Sequence, residues 1–270
     1  MGQSINVTGM ILMAQPIGES DKRLVLLTRE RGKITAFAKG ARKQNSVLLA
    51  ASNPFVFGEF ILYEGRNSYN VMGASVLNYF AELTTDYQDA CYGFYFLELA
   101  DYYAREGNDE AQMLKLLYAS LRALINNKIN NELIRYIYEL KVFVINGEYP
   151  QVFCCVNCGA KISRGTFSVS RGGLICDECY TIQAHSPSPE LDAVQEEDGN
   201  SFRNTMILSD SVVYTMQYII SSSLEKLYSF MVTDQVLKEL KTVMTQYTRG
   251  YIDKKFKSLA VLESMQILRQ

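Results

Sequence analysis

Four cysteines have the spacing of a metal site. They form two Cys-x₂-Cys pairs, Cys155 with Cys158 and Cys176 with Cys179, and seventeen residues separate the pairs. Each pair can fold into a tight turn whose two sulfurs face one point, and zinc accepts four thiolates in a tetrahedron. Gly159 follows the first pair and permits a close backbone turn there. The pattern predicts one structural Zn²⁺ per chain, with no coordination position left open for catalysis.

The segment between the pairs has the pattern of a β-hairpin. Residues 166–170 alternate as a strand, Arg171-Gly172-Gly173 is a turn signal, and Leu174-Ile175 would form the second strand. The region 151–189 is therefore predicted to be a zinc ribbon.

Other uses of the cysteines remain open. Disulfides are one alternative, but residues 1–7 have neither the basic start nor the apolar core of a signal peptide, so we expect a cytosolic protein with reduced thiols. Cys154 could replace Cys155 as a ligand, although the Cys155 spacing matches the second pair. Cys91 lies in an apolar helical run and is expected in the core. His185, the only histidine, is not expected to be a ligand, and no histidine pair is available for catalysis.

Charge is unevenly distributed along the 270 residues. The net charge of −2 argues against a wholly basic nucleic-acid coat. Residues 1–80 nevertheless carry nine Lys and Arg against five Asp and Glu, whereas residues 81–150 carry six against eleven, so the two segments should meet different partners. No apolar run is long enough to span a bilayer, and no Gly-x₄-Gly-Lys-Ser/Thr loop is present, so neither a membrane protein nor ATP hydrolysis is expected.

The first 80 residues are predicted to form a small all-β domain. Turn signals such as Arg29-Glu30-Arg31-Gly32 separate five short strands, at residues 7–14, 24–28, 33–38, 55–63 and 69–76. Five strands of this length can close into an oligonucleotide/oligosaccharide-binding (OB) barrel, although a small sandwich would give much the same pattern. Closure is favoured because so short a unit must protect its strand edges.

The basic residues of this domain predict a DNA-binding surface. They cluster at the turns and are Lys22, Arg23, Arg29, Arg31, Lys33, Lys39, Arg42, Lys43 and Arg66. On an OB barrel, basic side chains on the strand 2–3 face and in the loops after strands 1 and 4 would neutralise DNA phosphates and release counterions. Gly40 would let a phosphate approach the backbone. The alternative is that these side chains are only solvated.

Three aromatic residues of the domain are candidates for stacking on nucleobases, Phe37, Tyr63 and Tyr69, although each is more often a core residue.

From about Leu83 the hydrophobic period changes from two to 3.6 residues, which predicts helices. Apolar stripes at helical spacing run through residues 113–124, 133–144 and 236–247. A basic cluster near the C-terminus is either a solvated helix face or an auxiliary site for DNA or an acidic tail, and it consists of Arg249, Lys254, Lys255 and Lys257.

The predicted fold class is α+β with three parts. An OB domain spans 1–80, a helical domain combines 81–150 with 190–270, and the zinc ribbon 151–189 is inserted in the helical domain. The Pro-bearing, polar segment 186–200 is predicted to be a connector.

This order of parts resembles the bacterial RecO family of recombination mediators. The segments that carry the resemblance are residues 19–28 with Gly32, residues 38–43 with Ser46, Asn53-Pro54-Phe55, residues 138–142 with Gly147 and Pro150, the four cysteines with Gly159, and Lys257-Ser258-Leu259. Together they cover most of the chain, and their joint order is specific.

The resemblance implies a non-enzymatic protein that binds single- and double-stranded DNA and anneals complementary strands. It also implies partnership with RecR, contact with the C-terminal tail of single-strand-binding protein, help in loading RecA, and a place in the cytoplasm with the nucleoid. Because some members are strongly basic and this chain is not, its DNA affinity is expected to be weaker or more dependent on its partner. An RNA-binding barrel and a zinc-ribbon adaptor that binds only protein are the alternatives. A metalloenzyme would need an open zinc position and a general base.

Overall fold

The computed structural model describes residues 3–66, 68–185 and 205–267, and these confirm the α+β class. The predicted connector at 186–200 lies outside the described residues. In chain order the elements are β1 (Ser4–Ile17), β2 (Asp21–Thr28), β3 (Gly32–Ala38), α1 (Leu48–Ala51), β4 (Phe57–Glu64), β5 (Tyr69–Asn78), α2 (Tyr87–Tyr103), α3 (Ala111–Asn126), α4 (Asn131–Ile145), β6 (Thr166–Ser168), β7 (Gly173–Ile175), α5 (Asp177–His185), β8 (Thr205–Ile207), α6 (Asp210–Ser221), α7 (Asp234–Tyr251) and α8 (Lys257–Ile267).

The first five strands form a closed barrel in the order β1-β2-β3-β5-β4, so the OB-type barrel is confirmed over the sandwich. The long strand β1 makes closure possible because its first half pairs with β4 and its second half with β2. A register shift between Ile11 and Met13 bends the strand where it changes partner. The parallel pairing of β3 with β5 closes the ring.

The barrel interior is filled by alternate residues of each strand. Leu24, Leu26, Ile34, Ala36 and Phe60 are all buried within it. Along β3 the alternation is strict, with the intervening residues only half-buried, as expected for a strand with one face toward the core.

Local capping residues set the helix ends. Helix α2 begins later than predicted, because residues 81–84 form a 3₁₀ turn and the Asp86 carboxylate accepts hydrogen bonds from the N–H groups of Gln88 and Asp89. At the start of helix α4 the Asn130 side chain accepts a hydrogen bond from the Glu132 N–H, and after the helix ends at Ile145 the chain turns at Gly147, whose φ of 74° is left-handed.

The chain separates into two compact units, residues 1–134 with 255–270 and residues 135–254. The first unit contains the barrel, α2, α3, α8 and the start of α4. The second unit contains the rest of α4, β6–β8 and α5–α7. Residue 80 lies inside the first unit, and the three-part division of the sequence stays a prediction.

Two distant segments meet in the first unit where α8 packs on α2. The Glu98 carboxylate accepts hydrogen bonds from the Ser258 N–H at 3.4 Å and from the Ser258 hydroxyl at 3.2 Å. An acidic group satisfies free N–H groups at a helix start, so Glu98 fixes the first turn of α8.

In the second unit, β6 and β7 form the predicted hairpin, and β8 pairs with the other side of β6. This third strand was not predicted, because three residues after a polar segment give too short a pattern.

Three buried charged residues of α4 have partners within the second unit. Arg135 and Glu139 form an ion pair at 2.8 Å one helical turn apart. The Lys141 ammonium donates to the carbonyl oxygens of Ile220 and Ser222, at 2.9 and 2.7 Å, where α6 ends. Free carbonyls at a helix end need such donors, so Lys141 joins the two helices.

Replacing Lys141 with Met should lower the free energy of unfolding of the second unit by about 1.5–3 kcal/mol, because two partly buried carbonyls lose a charged donor. Urea unfolding followed by far-UV circular dichroism measures this change. Lys238→Met on the exposed face of α7 is the control, with an expected change within about 0.5 kcal/mol. A loss for Lys141→Met no larger than the control's would contradict this role.

Candidate functional site

Two backbone turns bring the predicted metal ligands together in the second unit. In the first, the Cys155 N–H donates to the Ala160 carbonyl, and the Gly159 N–H donates to the Cys155 carbonyl. Gly159 has a φ of 74°, which favours glycine, as predicted from its place after the cysteine pair. The second turn lies between β7 and α5, so Cys176 precedes the helix and Cys179 lies in its first turn.

The four sulfur atoms lie close enough together to bind one metal ion. Those of Cys155, Cys158, Cys176 and Cys179 all lie within 4.8 Å of one another, and the Cys158 and Cys176 sulfurs are 3.8 Å apart. With metal–sulfur bonds of about 2.3 Å, a tetrahedral site places its sulfurs about 3.8 Å apart. The donor set therefore fits a four-thiolate metal centre, and a metal bound there would keep no position for substrate.

The surrounding backbone favours thiolate at Cys155. Burial alone would raise the pKa of this thiol, but hydrogen bonds from the N–H groups of Cys158, Cys176 and Asn157 outweigh it and lower the pKa to about 6. The pKa of Cys179 is raised to about 12, first by its hydrogen bond with the Cys176 thiol and then by burial. The Cys155 thiolate forms readily while Cys179 holds its proton, so metal binding must release that proton.

The remaining cysteines and the histidine have other surroundings. Cys154 is half-buried and pairs through its backbone with Lys161, and Cys91 is buried in α2, as expected for a core residue. No disulfide joins any of the six cysteines, all of which the structure describes. The side chain of His185 lies outside the described residues.

The nine basic residues of the predicted DNA surface do not form one patch. One group, here called the basic end, lies where β2 begins and β3 ends, and it consists of Lys22, Arg23, Lys39, Arg42 and Lys43. Arg29, Arg31 and Lys33, here called the hairpin-turn group, lie where β2 ends and β3 begins. About seven residues of strand, or roughly 23 Å, separate the two groups. Arg66 is exposed just after β4.

The loop of the basic end is held in a defined shape. The Gly40 N–H donates to the Asp21 carboxylate at 2.7 Å, while the Arg42 N–H donates to the Ser20 carbonyl at 2.8 Å. The bond from Gly40, reinforced by nearby Lys39 and Lys43, lowers the pKa of Asp21. The Gly40 amide is thus occupied and is not free for a phosphate, contrary to the reasoning from sequence. Lys39, Arg42 and Lys43 themselves are exposed.

Several predicted DNA contacts are engaged within the protein. Lys22 donates to the Ser52 carbonyl at 3.1 Å and to the Asn53 side chain at 2.8 Å, and burial lowers its pKa. Lys33 contacts the Asp101 carboxylate of α2 at 3.2 Å, and Arg31 lies 3.6 Å from Glu64. Arg23 and Arg42 donate to neutral acceptors, the Gln15 side chain and the Gly18 carbonyl, each at 3.3 Å. With Lys39 and Lys43 they are the principal phosphate candidates of the basic end.

The candidate stacking residues have different exposures. Tyr69 is buried in the barrel core and cannot stack on a base, whereas Tyr63 is 42 % exposed. Phe37 is half-buried and faces Arg23 across the β2–β3 pair. Phe37 is therefore the ring best placed beside the basic end.

The four C-terminal cations are exposed. Arg249 lies in the last turn of α7, Lys257 begins α8, and Lys254 and Lys255 lie between the two helices. Of the helices in the described ranges, none combines the length and apolarity that crossing a bilayer requires.

Comparison with known proteins gives matches along nearly the whole chain. The family model described as "Recombination protein O N terminal" matches residues 1–80, and "Recombination protein O C terminal" matches residues 84–195 and 184–260. A "DNA repair protein RecO" of Alkaliphilus metalliredigens is 30 % identical over 97 % of this chain and 99 % of its own length. The proteins of that name from Caldicellulosiruptor bescii, 30 % identical over 97 % and 99 %, and Bacillus pumilus, 27 % identical over 98 % and 96 %, are similar too.

Proposed function

This chain belongs to the RecO family of DNA repair proteins, and from that premise we propose that it binds single- and double-stranded DNA and anneals complementary strands without hydrolysing nucleotide. We further propose that it works with RecR to help load RecA onto DNA coated with single-strand-binding protein. No catalytic residue is assigned.

The basic end of the barrel is the observation that carries the proposal. Lys39, Arg42 and Lys43 are exposed on a loop that hydrogen bonds hold in shape, and Arg23 lies beside it. Because the backbone of the loop is already ordered, binding a phosphate backbone costs little further backbone entropy, and the cations release counterions. By neutralising phosphates on two strands it would lower their mutual repulsion, so that base pairing can proceed.

The four cysteines support a second, structural proposal. We propose that Cys155, Cys158, Cys176 and Cys179 hold one Zn²⁺, since four thiolates at tetrahedral spacing suit this ion. Bound zinc would supply a cross-link between the turn at 155–159 and the start of α5. The protein's own contribution is to present four sulfurs without an open ligand position.

The proposed partners follow from the family. RecR, the acidic C-terminal tail of single-strand-binding protein and, indirectly, RecA are the proteins that this chain would meet at single-stranded gaps. Binding to chromosomal DNA would place it in the cytoplasm with the nucleoid.

The proposal predicts that the protein speeds the annealing of complementary oligonucleotides coated with single-strand-binding protein. A fluorescence-quenching assay without ATP, run with and without RecR, measures the rate. We expect annealing to be several-fold faster with the protein than without it. An unchanged annealing rate under both conditions would refute the proposal.

A binding assay separates the remaining functions. Preference for RNA in a competition with DNA of the same sequence would identify an RNA-binding barrel. Absence of any gel shift at low salt would favour a protein adaptor.

A further inference from the structure

A cavity of about 270 Å³ lies in the first unit between the barrel and α3. Its apolar surface comes from Phe57, Leu114 and Tyr118, while Thr8, Arg29 and Lys115 add polar groups. Arg29 and Lys115 are both exposed at the surface. No role proposed above uses this cavity.

We propose that this cavity binds one unstacked base of single-stranded DNA, with Arg29 and Lys115 contacting the flanking phosphates. The inference rests on the proposed DNA binding and adds a second contact site that is specific for unpaired strands.

The aromatic side chains of the cavity are suited to stacking. The Phe57 and Tyr118 rings lie 4.8 Å apart between centroids, tilted by 59°, and the Tyr118 ring also meets Phe80 edge-on at 5.2 Å. Asn78 donates to the Tyr118 hydroxyl at 3.5 Å. These contacts fix the Tyr118 ring in place, and both Phe57 and Tyr118 are half-buried, so each keeps some accessible surface. Stacking on a fixed ring suits any base, because every base has a π-face.

The charges at the cavity are complementary to a polynucleotide. Arg29 follows β2, and Lys115 lies in the first turns of α3, so cations from two elements meet at one cavity. The nearby Glu30 carboxylate accepts a hydrogen bond from the Thr8 N–H at 2.8 Å, which orients it toward the backbone. Neither Arg29 nor Lys115 has the short ion pair that engages Lys33 with Asp101 among the described residues.

A nucleotide fits the cavity better than a peptide that binds as an added strand. Such a peptide needs a free strand edge, and the barrel is closed. The described lining presents side-chain hydroxyls and rings and no free strand edge. Stacking and phosphate pairing need little more than those groups.

The position of the cavity connects it to the basic end. Arg29 and the basic end lie at opposite ends of β2, roughly 23 Å apart. A single strand several nucleotides long can contact both places, as on other OB barrels. Duplex DNA could use the basic end alone, because its bases are already paired and stacked.

The test compares Tyr118→Leu and Lys115→Glu with wild type in the full-length protein, using single-stranded and blunt duplex oligonucleotides. We expect Tyr118→Leu to bind the single strand about tenfold more weakly. Lys115→Glu should weaken it several-fold and lower the salt slope by about 0.7. Duplex affinity should stay within about twofold of wild type in both variants. 2-Aminopurine in the single strand should change its fluorescence on binding wild type and much less on binding Tyr118→Leu.

Matched variants keep the test selective. Tyr118→Phe retains the ring and should bind as wild type does, and Lys128→Glu makes the same charge change at an exposed position just after α3. Because Lys115 is exposed, its variant tests the inference even if Tyr118→Leu is unstable. Wild-type affinity for single strands in Lys115→Glu would overturn the inference while leaving the basic end as the DNA site. The inference would also be overturned if binding of an acidic peptide required Lys115 and binding of DNA did not. A wild-type protein that bound no oligonucleotide would overturn both proposals.

Discussion

Reversing the charges of Lys39, Arg42 and Lys43 together, by Lys39→Glu, Arg42→Glu and Lys43→Glu, should lower the affinity for DNA about 100-fold or more at moderate salt. The reason is that these exposed cations sit on one hydrogen-bonded loop and would contact adjacent phosphates. Losing three phosphate contacts should also reduce the slope of log affinity against log salt by about 2 for single strands. Fluorescence anisotropy at four or five salt concentrations gives both quantities.

The control must separate local contact from overall charge. Lys128, Lys161 and Arg164 are exposed, and their change to Glu alters the net charge by the same amount. This control should lose little affinity and keep its salt slope. Duplex and single-stranded DNA should both be affected by the loop variant, in contrast to the cavity variants. A loop variant that kept the wild-type salt slope would remove the loop from the binding site.

Removing the proposed zinc should have the second large effect, on the stability of the second unit alone. Structural zinc in small fingers contributes about 10–16 kcal/mol of apparent binding free energy, far more than a small ribbon has without it. Cys155→Ser with Cys158→Ser, or treatment with a strong chelator, should therefore unfold the ribbon around β6 and β7. The barrel core contains none of the four cysteines, so it should remain folded and bind DNA with modest loss.

Hydrogen exchange, read peptide by peptide, distinguishes the two regions. Protection should vanish over residues 151–180 and persist in β1–β5. Cys154→Ser is the matched control, because its sulfur is not in the cluster and its variant should retain one metal ion per chain by elemental analysis. Full protection of the ribbon after complete metal removal would show that the four thiols do not hold it together. Loss of all DNA binding on chelation would instead place the DNA site elsewhere.

The clustering of the four cysteines was predictable from sequence because it depends on local structure. Each cysteine pair folds within four residues, and thiolates at that spacing have few other uses in a reduced protein. The barrel was predictable for a similar reason, since its strands alternate and follow one another with short turns. Closure itself depended on the argument from strand edges, and the pairing of β3 with β5 confirmed it.

The individual roles of the basic residues were not predictable, because their partners are distant in sequence. Lys22 meets Ser52 and Asn53, and Lys33 meets Asp101, at separations of 30 to 68 residues. From the sequence alone, all nine cations are equal candidates for DNA contacts. Only the folded chain shows which of them have partners within the protein. Lys115 could not be singled out either, since its place on a helix face looks the same as any solvated lysine.

The closure of the barrel has a consequence for its motions. In the part of the barrel that the structure describes, β3 and β5 are joined by two residue pairs, Ala36 with Tyr69 and Phe37 with Asn70, whereas seven or eight pairs join each of the other neighbouring strands. Fewer backbone hydrogen bonds must break between β3 and β5 than elsewhere, so we expect local opening of the barrel to begin there. Phe37 lies at this pairing, so a polynucleotide bound over it would stabilise the contact between β3 and β5, which has the fewest paired residues.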